Sequence, residues 1–173
     1  VHVRPTDLAS GVALLNPARW DRHLTDADRI MRGSVPPAGP YASLYADTNE
    51  LHALQYVYQR TGPNDAVFVG VTHNDRVYLN DIRAEWLLPR PVGTRYNMAS
   101  LRLTTEDDVE QGIVGDLDRQ AVRWVVLWDE PPIGHFFAVP PYVGSPRLDT
   151  YLRARFQPVA QFGDFAVYSR TSR

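Results

Sequence analysis

His73, Asn74 and Asp75 follow one apolar run of strand length, and Asp129 and Glu130 follow another. A histidine beside paired carboxylates can take up and return protons, because imidazole titrates near neutrality and a carboxylate can orient it. The set works only if the two runs lie side by side and parallel, since ligands of open α/β sheets bind beyond the carboxyl ends of parallel strands. The plainer reading of the same residues is polar loop ends with no shared task. A second constellation comprises Asn80, Asp81, Arg90, Arg95 and Tyr96. Guanidinium forks match phosphate and carboxylate groups, so these residues have the types to bind an anionic or hydroxyl-rich group. Their plainer reading is an ion pair between Asp81 and an arginine that pins an irregular loop.

Other chemistries are excluded by what is missing. All 18 basic residues are arginine, so Schiff-base catalysis and a P-loop lysine are ruled out. Arginine without lysine is the trace expected of a GC-rich genome. With no cysteine there is no disulfide, thiolate nucleophile or cysteine-bound zinc. The turn Gly70-Val71-Thr72-His73-Asn74-Asp75 lacks the glycines of a dinucleotide fingerprint, and no Gly-x-Ser-x-Gly elbow occurs. Asp26-Ala27-Asp28 imitates the Asp-x-Asp of nucleotide-sugar transferases, but no apolar strand precedes it and a helix start explains it. The histidines at 2, 23, 52, 73 and 135 show no ligand spacing, so neither a metal nor a cofactor is expected. A net charge of −2 argues against a nucleic-acid surface.

The elements that must position these residues can be read along the chain. A length of 173 residues suits one core. Residues 1–46 read as an arm, linker or insertion: 18–32 have helical spacing and 33–40 are too rich in proline for a regular element. Residues 47–173 read as a single α/β domain. Asp47 and Glu50 resemble a capping box ahead of the stripe Leu51, Leu54, Val57 and Tyr58. Ala66 to Val71 is apolar throughout, as in a strand covered on both faces. Short extended pieces are expected at 77–79 and within 96–103, with a helical turn or two at 82–88. Thr104 or Thr105 is expected to cap a helix whose face Val109, Ile113 and Leu117 is buried. Arg123 to Trp128 is the second buried strand. Residues 130–146 hold five prolines. Ser145-Pro146 is read as N-cap and first helical position, with Leu148, Tyr151 and Leu152 inward. Gly163-Asp164 closes a hairpin of II′ type. The expected architecture is a mostly parallel central sheet flanked by helices, with the C-terminal antiparallel hairpin at its edge.

The order of these segments is similar to a known group. A helix, then "DAVFVGVTHNDRVYLND", "EWLLPRPVGTRYN", "TTEDDVEQGIVGDLDRQAVRWVVLWD" and a closing "FGDFAVYSR" resembles the C-terminal extracytoplasmic domain of polytopic bacterial glycosyltransferases that use polyprenyl-phosphate sugars. These form the GT-C class, related to protein mannosyltransferases. The resemblance covers about residues 47–170 and does not extend over the first 46. It implies an accessory domain at the extracytoplasmic face of the membrane, over an active site supplied by the membrane-embedded remainder of the same polypeptide. No catalytic residue carries over, because the catalytic acid of that class lies in a loop of the membrane part. Asn80, Asp81, Arg90, Arg95 and Tyr96 match the pattern, either contacting glycan or polyprenyl-phosphate sugar or holding the loop. The start at Val1 and the lack of any run near 20 apolar residues fit a fragment of a larger chain.

Two other functions compete. One is a free-standing enzyme or sugar-binding protein with its site at His73, Asp75, Asp129 and Glu130. The other is an interaction module that packs Phe136, Phe137 and Tyr142 on a membrane or a partner.

Overall fold

A computed structural model describes residues 26–34, 47–76, 82–96, 103–129 and 143–171. Their elements are α1 (residues 26–31), α2 (Thr48–Tyr58), β1 (Val67–Val71), a 3₁₀ turn (Asn74–Arg76), α3 (Ile82–Leu87), α4 (Asp107–Arg119), β2 (Trp124–Trp128), α5 (Arg147–Arg155), β3 (Phe156–Phe162) and β4 (Phe165–Arg170). The extended piece expected at 77–79, residues 97–102 of the one expected within 96–103, and residues 130–142 of the proline-rich loop lie outside the described residues.

The helices sit on both faces of one sheet, and strand alternation sorts the side chains between them. Val67, Val69, Val126, Phe165 and Val167 pack with Ile30 and Met31 of α1, Leu54 and Val57 of α2, and Leu87 of α3. Phe68, Val125 and Leu127 point the other way, onto Ile113 and Leu117 of α4 and Leu148 and Leu152 of α5. The core therefore reaches back to α1, within the segment that sequence places in the N-terminal arm. Truncating a fully buried residue such as Leu54 to alanine removes about 2–5 kcal/mol from such a core.

The strand order is β1-β2-β4-β3, and here the expected topology needs correction. Among the described strands only β1 and β2 pair in parallel, with Val67 opposite Trp124 and Val71 opposite Trp128. The β2–β4 and β4–β3 pairs are antiparallel, so the sheet is mixed rather than mostly parallel. The C-terminal hairpin does stand at one side of the sheet, with β3 as the edge strand and β4 joining it to β2. The reason lies in the side chains. Phe165, Ala166 and Val167 are buried, as a central strand requires. β3 carries exposed Gln157 and Gln161 together with Pro158, which has no amide hydrogen for a ladder and belongs on an edge. The ladder shifts register between Pro158 and Ala160. Gly163 at φ +54° forms the two-residue turn, and only its first central residue has positive φ, in keeping with type II′.

Helix ends follow local chemistry. Asp47 caps α2, its Oδ1 accepting from Asn49 N at 2.8 Å and Glu50 N at 3.4 Å. The cap of α4 departs from expectation: Glu106, not a threonine, holds the N-cap position. Thr105 is buried instead, with its carbonyl accepting from Ser145 N at 2.8 Å. Pro146 is the N-cap of α5 rather than its first residue, and the Ser145 hydroxyl accepts from Arg147 N at 3.1 Å. Along α4 the buried stripe is Glu110, Ile113, Asp116 and Leu117. Val109 is only partly covered. Two of those four residues are acids, which a search for apolar spacing passes over.

Among the described residues no helix is long and apolar enough to cross a membrane.

Candidate functional site

The parallel register brings the carboxyl ends of β1 and β2 together, as the edge hypothesis requires. Thr72 N donates to Trp128 O at 3.0 Å, and its hydroxyl donates to Asp129 Oδ1 at 2.9 Å. Asp129 N in turn donates to Asp164 O in the hairpin turn at 2.7 Å. The chain then tightens into the 3₁₀ turn, which buries Asn74 and Asp75 and leaves His73 exposed.

That turn is held from the far side of the sequence by Asp149 in the first turn of α5. Asp149 Oδ1 accepts from Asn74 N at 3.1 Å and from Asn74 Nδ2 at 2.8 Å. Asn74 Nδ2 also donates to Val71 O at 3.0 Å, closing the end of β1. Gly144 N donates to Asp75 O at 2.8 Å. A side chain at Gly144 would drive its Cβ into Thr105 O, so only glycine lets this loop lie between Asp75 and the start of α4. Leu148 N donates to Glu110 Oε2 at 2.9 Å. Burial pushes the Glu110 carboxyl above its usual range, although the Leu148 amide pulls the other way.

The result is a three-residue convergence. One ligand-type atom from each of His73, Asp75 and Asp149 lies within 4.8 Å of the others. Of the residues expected at this edge, the structure brings His73 and Asp75 together, leaves Asp129 outside that group on Thr72, and does not describe Glu130. Asp149 was missed because it lies 75 positions from Asn74 and reads in sequence as a helix-start acid. The one available signal was its place beside Leu148, ahead of the inward face of α5.

The described members of the second constellation do not come together. Asn80 and Asp81 lie outside the described residues. The remaining members flank the opposite end of β1: Val67 N donates to Pro91 O, and Gly93 N donates to Val67 O at 2.8 Å. Four residue steps of strand, about 13 Å, separate Val67 from Val71. Arg90 is spent on the end of α2. Its Nε donates to Thr61 Oγ1 at 2.9 Å and its Nη2 to the carbonyls of Tyr58 and Thr61, while the guanidinium lies 4.0 Å from the Tyr58 ring centre. Arg95 and Tyr96 sit on the other side of the sheet, beside α4. There Asp116 accepts from Arg95 N at 3.1 Å, from Thr94 Oγ1 at 3.2 Å and from the Arg119 guanidinium. Burial opposes ionisation of Asp116, but these donors outweigh it and hold the carboxyl below its usual range. A third pin closes the C-terminus. Tyr151 donates to Asp118 Oδ1 at 2.6 Å, and Arg170 donates to Asp118 Oδ1 at 3.0 Å and to the Tyr151 hydroxyl at 2.7 Å. Burial and the acceptor push the Tyr151 hydroxyl up to about 12.

Comparison with known proteins adds no relative: no family model, curated protein or solved structure matches this chain.

Proposed function

We propose that this chain is a non-catalytic accessory domain of a membrane glycosyltransferase that uses polyprenyl-phosphate sugars. It stands on the extracytoplasmic side and offers the carboxyl edge of β1 and β2 to acceptor or glycan, with the membrane-embedded remainder of the polypeptide as its partner. The observation that carries this reading is how the motif residues are spent. Arg95 and Thr94 of "TRYN" are bonded to Asp116 of "GDLDR", and Arg170 of "YSR" to Asp118 of the same segment. Segments that define a resemblance by holding one another in place are a signature of a fold rather than of a reaction centre.

Two results test it. The reading frame upstream of Val1 is expected to encode a series of apolar segments of about 20 residues each. The isolated chain, given a polyprenyl-phosphate sugar and an acceptor, is expected to transfer nothing. Absence of the apolar segments, or turnover by the isolated chain, would overturn the proposal. One observation favours the alternative of a free-standing enzyme or sugar-binding protein: the convergence of His73, Asp75 and Asp149 beyond the parallel strands.

A further inference from the structure

We infer that His73, Asp75 and Asp149 form a binding site for a first-row divalent cation. The inference goes beyond the accessory-domain reading and does not depend on it. Its first support is the convergence of an imidazole nitrogen and two carboxylates within 4.8 Å of one another. Ligand atoms bound at about 2.0–2.2 Å around one cation stand about 3–4 Å apart, so a small contraction, led by the exposed His73 side chain, completes the set.

The second support is independent of the spacing. Asp75 is only 9% exposed, and its Oδ1 is buried with no hydrogen-bond partner among the described residues. The other oxygen, Oδ2, has a 3.4 Å contact from Nε of Arg76, whose side chain is 62% exposed. A buried carboxylate oxygen without a donor is costly, and a second buried carboxylate close by raises the cost. Asp149 cannot relieve Asp75, because its Oδ1 already serves Asn74 and a carboxylate brings no proton donor of its own. A cation resolves both demands at once, since it satisfies the orphaned oxygen and neutralises the pair.

The surroundings suit such a site. Asn74 fixes the Asp149 carboxylate as an outer-shell partner does, and the Gly144 amide fixes the backbone of Asp75. His73 lies at the surface, which leaves an entry path and open positions for water or a ligand oxygen. One nitrogen and two carboxylate oxygens suit Zn²⁺ or Mn²⁺ better than Ca²⁺, which takes six to eight oxygens.

Calorimetric titration of the purified chain with Mn²⁺ and with Zn²⁺ tests the site, using His73→Ala, Asp75→Asn and, as a control at another histidine, His52→Ala. Circular dichroism checks that each variant is folded, and the exposed His73 can be replaced without disturbing the core. The expected result is one saturable equivalent of at least one metal. That binding should weaken at least tenfold in His73→Ala and in Asp75→Asn, and stay unchanged in His52→Ala. No saturable binding of either metal at millimolar concentration, or binding that His73→Ala and Asp75→Asn both leave intact, would overturn the inference.

Discussion

Asp116 holds the backbone of Arg95: its Oδ2 accepts from the Arg95 amide at 3.1 Å, and the carboxylate is almost wholly buried in the inward stripe of α4. This contact converts a motif that looks like an anion-binding arginine into a structural tie. It joins the segment beside the amino end of β1 to the helix that leads into β2.

Asp116→Ala removes one acceptor from three donors, of which the Arg95 amide and the Thr94 hydroxyl are poorly placed to find water. The expected loss is about 2 kcal/mol, read as a lower urea midpoint at an unchanged slope. The wild-type contribution also has a pH signature. The folded carboxyl titrates below its unfolded value, so its stabilisation is present above about pH 4 and is lost as pH falls through the folded pKa. Stability curves of wild type and Asp116→Ala should converge in acid. Curves that stay parallel to the lowest pH would count against this assignment.

Glu85 on α3 shows the opposite sign. Burial pushes its carboxyl up to about 7, and its Oε1 is buried with no hydrogen-bond partner among the described residues. The folded state therefore holds the proton more tightly than the unfolded chain. Stability is full below about pH 4.3, the unfolded value, and declines as pH rises through about 7. The whole shift corresponds to about 3 kcal/mol, and partial exposure of Glu85 reduces this to about 1–2 kcal/mol. Glu85→Gln should match wild type near pH 4 and exceed it by that amount near pH 8, measured by thermal unfolding at both pH values. An equal effect at both would exclude ionisation as the cause.

Ala121 follows the C-terminus of α4 with φ +50°. Its amide donates to Asp118 O at 3.0 Å, and the Val122 amide donates to Leu117 O at 2.9 Å. The two bonds form a Schellman motif, with Val122 packed near Leu117 in the same core. An alanine in the left-handed region costs about 1–2 kcal/mol, part of which glycine returns as unfolded-state entropy. Ala121→Gly should therefore stabilise the chain by about 0.5–1 kcal/mol in urea unfolding. A loss of stability would show that the side chain is needed for packing.

How much of this could be read in advance differs by element. Val67 to Val71 and Trp124 to Trp128 were legible because continuous apolar runs mark strands covered on both faces, and α2 because Asp47 and its stripe agree. The order of the hairpin strands was written in Pro158 and the glutamines of β3, but a local pattern does not say which neighbour a strand chooses. The site was half legible. His73 and Asp75 were reached from the rule that ligands gather at carboxyl ends of parallel strands. Asp149 was not, because its role depends on a contact across 75 positions. The buried acids Glu110 and Asp116 were hidden for a related reason: each serves a backbone amide of a distant segment, and that demand leaves no mark on local spacing.

The carboxyl edge of β1 is proposed as the functional end of this domain, and the arginine-rich segment at its amino end as structural. Paramagnetic broadening of the amide NMR spectrum by substoichiometric Mn²⁺ tests this assignment most directly, because the effect falls steeply with distance from the ion. Signals of Thr72 to Arg76 and of Asp149 and Thr150 are expected to broaden first, while those of Arg90, Arg95 and Tyr96 remain sharp. First broadening at Arg90 or Arg95, or broadening with no preferred position, would contradict it.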